Sequence, residues 1–369
     1  MKHQYKYYGW QASYFAGKIR GYLNYKGVDY TEKNISLFDM LVKIPKHTGR
    51  VAMPAVETKQ GEWFCDTPLI MEELEKRHPA PAVKADGPVQ NFVAELFQNW
   101  VDDVWMPVAL HSRWSFDENY DTVNREEGGK NFLPFAPRFI RNAVSDKVFK
   151  GRMEKALPDM GVIPEQTDLF ETWVCHLLDL FETHFSQHGY LLGERPTVAD
   201  FGLLGPMLGH LNSDPWPKRE WLDPRPNLQR WVEKMGRGDK AEGDLLPNDE
   251  IPKTLMPVID IIFSEYFPIM ETTVEEISKI VEKEQLKSGD ALPRTTEHIY
   301  MPMMDGQFKR ASFTYSIWRM QRLQNKVAAY SKEDKNCLNA WLSNQGQPDF
   351  LSLDFGAKLK RHALVAALS

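Results

Sequence analysis

SYFAGKIR, residues 13–20, is the stretch on which the reading of this chain turns. Ahead of it, Tyr5 to Tyr8 form a short aromatic run that Gly9 to Ala12 interrupt, and from Phe15 onward Ile19, Tyr22 and Leu23 recur at the spacing of one helical face. Ser13 stands where an N-cap belongs and Gly27 where a helix stops. Val28 to Ile35 then alternates as a second strand, so the start of the chain predicts a βαβ unit.

Working outward, Ala55 to Thr58 and Glu62 to Phe64 flank Lys59, Gln60 and Gly61, a connection suited to an antiparallel hairpin. Thr67 follows as N-cap with Pro68 at the first helical position, and this helix carries Leu69, Ile70 and Leu74 before ending near His78 and Pro79. The order is βαβ, then ββα. Pro79, Pro81 and Pro88 mark a linker. Beyond it the periodicity is helical: Phe92, Val93, Leu96, Phe97, Trp100, Val101, Val104 and Trp105 form one stripe, residues 165–186 repeat the pattern, and 201–211 is nearly all apolar. Gly, Asp and Pro gather after Met235, and helices are expected again at 274–286, 317–330 and 332–343. Between them, 299–303 and 308–315 flank an Asp305-Gly306 turn, a hairpin signal. The fold class is therefore α/β plus all-α. Its expected domains are a βαβ-ββα domain over 1–80, a helical bundle over 89–236, and a mostly helical C-terminal extension with a β-hairpin over 237–369.

A chain of 369 residues with 42% apolar residues, 11 Trp and 20 Phe can supply more than one core. Its net charge of -6 carries no basic footprint, so neither nucleic acid nor an anionic membrane is expected as a main partner, and small molecules are. Cys65, Cys175 and Cys337 are odd in number and lack a CxxC pair, which argues against a disulfide framework or zinc site and for a reducing cytoplasm. The first residues lack the pattern of a signal peptide, and no apolar run approaches the roughly 20 residues of a membrane span. Walker, HExxH and GxSxG patterns are absent. His184 and His188 have metal-compatible spacing but no acidic third ligand nearby, so they read as exposed helix histidines and no metal is expected.

Four strings then fall in one order. SYFAGKIR, continuing to KGVDY at Lys26 to Tyr30, resembles the active-site turn of glutathione transferases of the serine and cysteine types, with Tyr14 in place of the usual Pro. Met53-Pro54-Ala55-Val56 is similar to the family's cis-proline strand start, Asp66-Thr67 to its acidic-Ser/Thr pair, and GERPTVADF at Gly193 to Phe201 to a further family string. The resemblance covers roughly 1–236 and implies a thioredoxin-like N-terminal domain, a transferase-type helical bundle, glutathione as co-substrate, a cytoplasmic detoxifying role and a homodimer.

By that resemblance Ser13 would be catalytic, donating a hydrogen bond to the glutathione thiolate at a helix start whose N–H groups and dipole lower the thiol pKa. On its own pattern Ser13 is a helix cap, and Tyr5, Tyr7 and Tyr8 compete with it as thiolate donors. Met53 and Pro54 would present backbone groups to the cysteinyl part of glutathione, and Asp66 and Thr67 would take the γ-glutamyl amine and carboxylate. Arg50, Lys43, Lys46 and His47 are all available for the glycyl carboxylate. Trp10, Gln11, Trp105, His111 and Trp114, together with Arg113, would form an aromatic wall for a small hydrophobic electrophile, while Arg138 and Arg141 read as a solvated basic face. Thr197 to Asp200 is a capping box assigned to folding. Two functions follow: an enzyme performing conjugation, ether or halide displacement, or isomerisation, and a non-catalytic binding or assembly module on the same fold. The extension is expected to serve as a lid or packing element.

Overall fold

The computed structural model describes residues 3–241, 243–362 and 365–369. Its first elements follow the expected order: β1 (Tyr5–Gly9), α1 (Tyr14–Tyr25), β2 (Tyr30–Asn34), α2 (Ile44–Thr48), β3 (Ala55–Thr58), β4 (Trp63–Cys65) and α3 (Thr67–Arg77). The sheet order is β2-β1-β3-β4, with β1 parallel to β2 and antiparallel to β3, and β3 antiparallel to β4. This is a thioredoxin-like sheet. One detail differs from the sequence expectation. Asp66, not Thr67, takes the N-cap position of α3, because the chain leaving β4 turns there through a left-handed conformation with φ of 80°.

The long helix α4 runs Pro88–Trp114, and every residue of its expected stripe from Phe92 to Trp105 is buried. The chain divides into two compact units that are not consecutive in sequence. Unit one comprises Met1–Val83, Met106–Pro158 and Asp200–Ala241; unit two comprises Lys84–Trp105, Asp159–Ala199 and Glu242–Ser369. In unit one, α1 lies close against the helical turns at 205–209. The Cβ that Gly209 lacks would stand 2.6 Å from the Ser13 carbonyl oxygen, and that of Gly205 3.1 Å from the Tyr14 ring. Glycine is required at Gly209 because the obstructing atoms are backbone.

Unit two explains the extension. Its helices Phe267–Glu284, Thr314–Ala328 and Lys332–Asn344 and its hairpin β5 (Thr295–Met303) with β6 (Gly306–Phe313) pack with the first part of α4 and the helix Thr167–Phe185. The tail satisfies polar groups that α4 buries: Arg310 pairs with Asp103, the Arg319 guanidinium donates to Asp102 at 2.8 Å, and Asn91 donates to the Tyr330 hydroxyl at 2.8 Å. The Asp249 carboxylate accepts from the Val89 and Gln90 N–H groups at 2.7 and 2.8 Å, capping the start of α4 from far along the chain. Buried aspartates so paired would be costly to expose singly. The described residues of the tail, 243–362 and 365–369, thus belong to the same compact unit as the first part of α4. A second hairpin, β7 (Leu359–His362) with β8 (Val365–Leu368), has strands too short to have shown in the sequence.

His184 also departs from its expected exposure. It is buried, its Nε2–H donates to the Tyr190 carbonyl at 3.1 Å, and its Nδ1 accepts from the Thr254 hydroxyl at 2.8 Å. Burial holds its pKa down at about 4, so the ring is neutral. Among the described residues no helix is long and apolar enough to cross a membrane.

Candidate functional site

Strand register brings three segments to one end of the sheet. Tyr8 pairs with Ala55, and Ala55 pairs with Cys65, so the chain leaving β1, the chain entering β3 and the chain leaving β4 lie side by side. Those segments carry Ser13, Met53-Pro54 and Asp66-Thr67. The Met53–Pro54 peptide is cis, and Met53 packs against a cluster of Trp10, Ala12 and Val123. Asp66 holds φ of 80° and its carbonyl accepts from Ile70 N–H at 2.9 Å. A non-glycine residue in this region costs on the order of 1 kcal/mol, a cost commonest at ligand-binding turns.

Ser13 is the N-cap residue of α1, with extended backbone at φ -110° and ψ 132°, and its carbonyl accepts from Gly17 N–H at 2.8 Å. Its hydroxyl makes no capping bond to the first turn. The plain capping role is therefore not what the side chain performs, and the start of α1 keeps its positive end without a side-chain cap.

The competing tyrosines are committed elsewhere. Tyr5 bonds the His78 ring at 2.9 Å, Tyr7 donates to the Ala16 carbonyl at 2.6 Å, and Tyr8 donates to Glu57 at 2.7 Å. Tyr8 also receives Lys43 and stacks on Trp63 at 5.1 Å. Burial, reinforced for Tyr8 by the Glu57 carboxylate, pushes the Tyr7 and Tyr8 hydroxyls well above the ordinary phenol range.

What positions Ser13 is a residue that sequence reading placed in a substrate wall. Arg113, near the end of α4, is buried and donates to the Ala12 carbonyl, to the Gly209 carbonyl at 2.7 Å, and to both carboxylate oxygens of Asp214 at 2.9 and 2.8 Å. Its guanidinium lies 5.4 Å from the centre of the Trp10 ring. One side chain thus ties the residue before Ser13 to the turns that press on α1. No local pattern announces this; the only sequence signal is an arginine in an apolar helix.

The other wall residues separate. Trp10 stays beside Ser13, 8% exposed, with Phe132 at 5.8 Å and an indole N–H that is buried without an acceptor among the described residues. Gln11 turns to the surface and donates to Glu32 at 3.2 Å, beside the Arg20–Glu32 pair. His111 is buried, bonds Ser115 at 2.9 Å, and lies among Phe116 and Trp221. Trp114 is half-buried against Tyr120 at 5.9 Å. Trp105 has no exposed surface and belongs to the core of unit two with Trp100, Trp173 and Phe181, so it corrects the expectation of a substrate contact. Nine positions are two and a half helical turns, which sets Trp105 and Trp114 on opposite sides of α4. Of the basic candidates, Lys43 is engaged by Tyr8 and Glu57, and His47 stacks on Trp63 at 4.7 Å.

Comparison with known proteins bears on this arrangement. Residues 8–82 match the glutathione S-transferase N-terminal domain, and residues 176–234 match the glutathione S-transferase C-terminal domain. These two stretches of the chain are similar to the two domains of glutathione S-transferases. Over 112 residues it is 29% identical to glutathione S-transferase F14 of Arabidopsis thaliana, a match covering 30% of this chain and 40% of that relative's length. A glutathione S-transferase of Methylobacterium radiotolerans, solved with glutathione sulfonate, is 17% identical at a TM-score of 0.39, with 67% of this chain and 99% of that chain covered. The β-etherase LigF of a Sphingobium strain is 16% identical at a TM-score of 0.41, with 63% and 94% covered. The N-terminal match contains Trp10, Ser13, Met53 and Asp66, whereas Arg113, Val123 and Phe132 fall between the two matched transferase domains.

Proposed function

We propose that this chain is a glutathione-dependent transferase in which the Ser13 hydroxyl holds the glutathione thiolate for attack on an apolar or aromatic electrophile. The observation that carries the reading is the pairing of a Ser13 hydroxyl that makes no capping bond at the start of α1 with three tyrosine hydroxyls that are all bonded elsewhere. The glutathione thiol gives its proton to solvent. The remaining thiolate accepts a hydrogen bond from Ser13 and lies at the positive end of α1, both of which favour the anion. It then attacks the electrophilic carbon, forming a carbon–sulfur bond while the leaving group departs with its electron pair. Ser13 donates and does not act as a base.

The backbone of Met53, held beside Ala12, would bind the cysteinyl unit of glutathione, Asp66 and Thr67 the γ-glutamyl end, and Arg50 the glycyl carboxylate. Trp10, Met53 and Val123 would offer the electrophile an apolar surface, with Trp114 contributing from the end of α4. The test compares wild type with Ser13→Ala for glutathione binding and for conjugation of a generic aromatic halide. Glutathione binding is expected to persist while kcat/KM falls roughly tenfold to a hundredfold, the loss of one thiolate donor. Absence of glutathione binding by wild type would instead support the non-catalytic module.

A further inference from the structure

Residues 130–155 reverse the charge of the chain around them. They hold seven basic residues against two acidic, a net of +5 in a chain of net -6, which leaves -11 on the remainder. In their midst stand three exposed large apolar side chains: Phe135 is 100% exposed, Phe139 74% and Ile140 40%. A fully exposed phenylalanine is unusual enough to require an account.

The local structure presents these side chains deliberately. Ala136 N–H donates to the Leu133 carbonyl at 3.1 Å, closing a turn with Pro134 at its second position and Phe135 at its apex. Pro137 then starts the helix Arg138–Val144, in which no residue is buried. That helix is nonetheless held in place, since the Cβ that Gly129 lacks would stand 3.2 Å from the Arg141 Cβ. Two prolines flank Phe135, so little backbone entropy remains to be lost when its ring is buried by something else. Around the exposed aromatic residues, the segment also carries the cations Lys130, Arg141 and Lys147.

We propose that this segment docks the protein on an anionic phospholipid bilayer, with Phe135, Phe139 and Ile140 entering the headgroup–acyl boundary and the flanking cations lying among the lipid phosphates. An exposed apolar cluster within a segment of net positive charge combines the two features that hold a protein at an anionic membrane surface. The acidic net charge of the whole chain hid this at the level of composition. Phe132, immediately before the turn, packs on Trp10 beside Ser13, so docking would bring the proposed site to apolar electrophiles dissolved in lipid. Only that last consequence rests on the transferase reading; the docking itself does not.

Co-sedimentation of the full chain with vesicles tests it, using phosphatidylcholine alone and phosphatidylcholine with about one third phosphatidylserine. Wild type is expected to bind the anionic vesicles at least about tenfold more tightly than the neutral ones, and less tightly as salt is raised. F135S/F139S should weaken that binding about tenfold, and K130Q/K147Q should flatten its salt dependence, with melting temperatures unchanged because these side chains are exposed. Wild type remaining in the supernatant at low salt, equal binding to neutral vesicles, or F135S/F139S binding as wild type does would each overturn the proposal. Glutathione binding measured without vesicles reports on Ser13 and is independent of all three outcomes.

Discussion

Replacing Arg113 by Met keeps most of the side-chain volume and removes every hydrogen bond that the guanidinium makes. It leaves the Asp214 carboxylate buried without its two donors and the Ala12 and Gly209 carbonyls without theirs. Breaking one side of a buried pair costs about 3–5 kcal/mol. For a unit of this size that lowers the melting temperature by roughly 10 °C or more. R113M/D214L removes both charges and should regain a large part of the loss, giving a coupling energy of about 2 kcal/mol or more in a double-mutant cycle. Urea or thermal unfolding of wild type, both single variants and the double variant supplies the four values. A second readout separates positioning from stability. With the Ala12 carbonyl released, Ser13 loses its fixed place, so the pKa of bound glutathione, followed by thiolate absorbance, should rise in R113M. A single variant within about 1 kcal/mol of wild type, or strictly additive losses, would refute the clamp.

Two further outcomes follow from the packing. Gly209→Ala drives a Cβ to 2.6 Å from the Ser13 carbonyl oxygen, so it should cost about 1–3 kcal/mol in urea unfolding and impair glutathione binding. Gly151→Ala, with nothing within 4 Å of the new Cβ and a helical backbone, should be neutral or stabilising by up to about 1 kcal/mol. His184 predicts the pH dependence: its folded pKa of about 4 lies below the ordinary 6.5, so the unfolded chain takes up the proton first. Its contribution is complete above about pH 6.5 and is lost as pH falls toward 4, on the order of 3 kcal/mol in all. Urea midpoints measured across that window should decline less steeply in His184→Gln than in wild type; parallel declines would count against the assignment.

Much of this was legible without coordinates. The alternation of strands and helix over residues 5–77 is carried by local periodicity and by Gly27, Gly61, Pro68 and Pro79, residues whose backbone preferences act where they stand. Ser13, Met53-Pro54 and Asp66-Thr67 could be picked out because each occupies a boundary between elements, and boundaries are where sequence speaks most locally. The Asp305-Gly306 turn signal was answered by β5 and β6 for the same reason.

What the sequence could not settle were the questions of which face of a helix meets which neighbour. Trp105, His111, Arg113 and Trp114 lie within ten residues of one helix, yet one belongs to a core in unit two, one to an aromatic cluster, one to a buried clamp, and one stands half-buried. Arg113 acquires its role only when Ala12, Gly209 and Asp214, distant in sequence, arrive around it. The extension is the larger case. Arg310 and Arg319 meet Asp103 and Asp102 only when folding brings them together, and His184 reads as exposed until Thr254 and Tyr190 enclose it. Local backbone preference determined the elements and the candidate Ser13; long-range burial of polar groups, which must find partners wherever the chain brings them, decided what holds Ser13 in place and where the tail belongs.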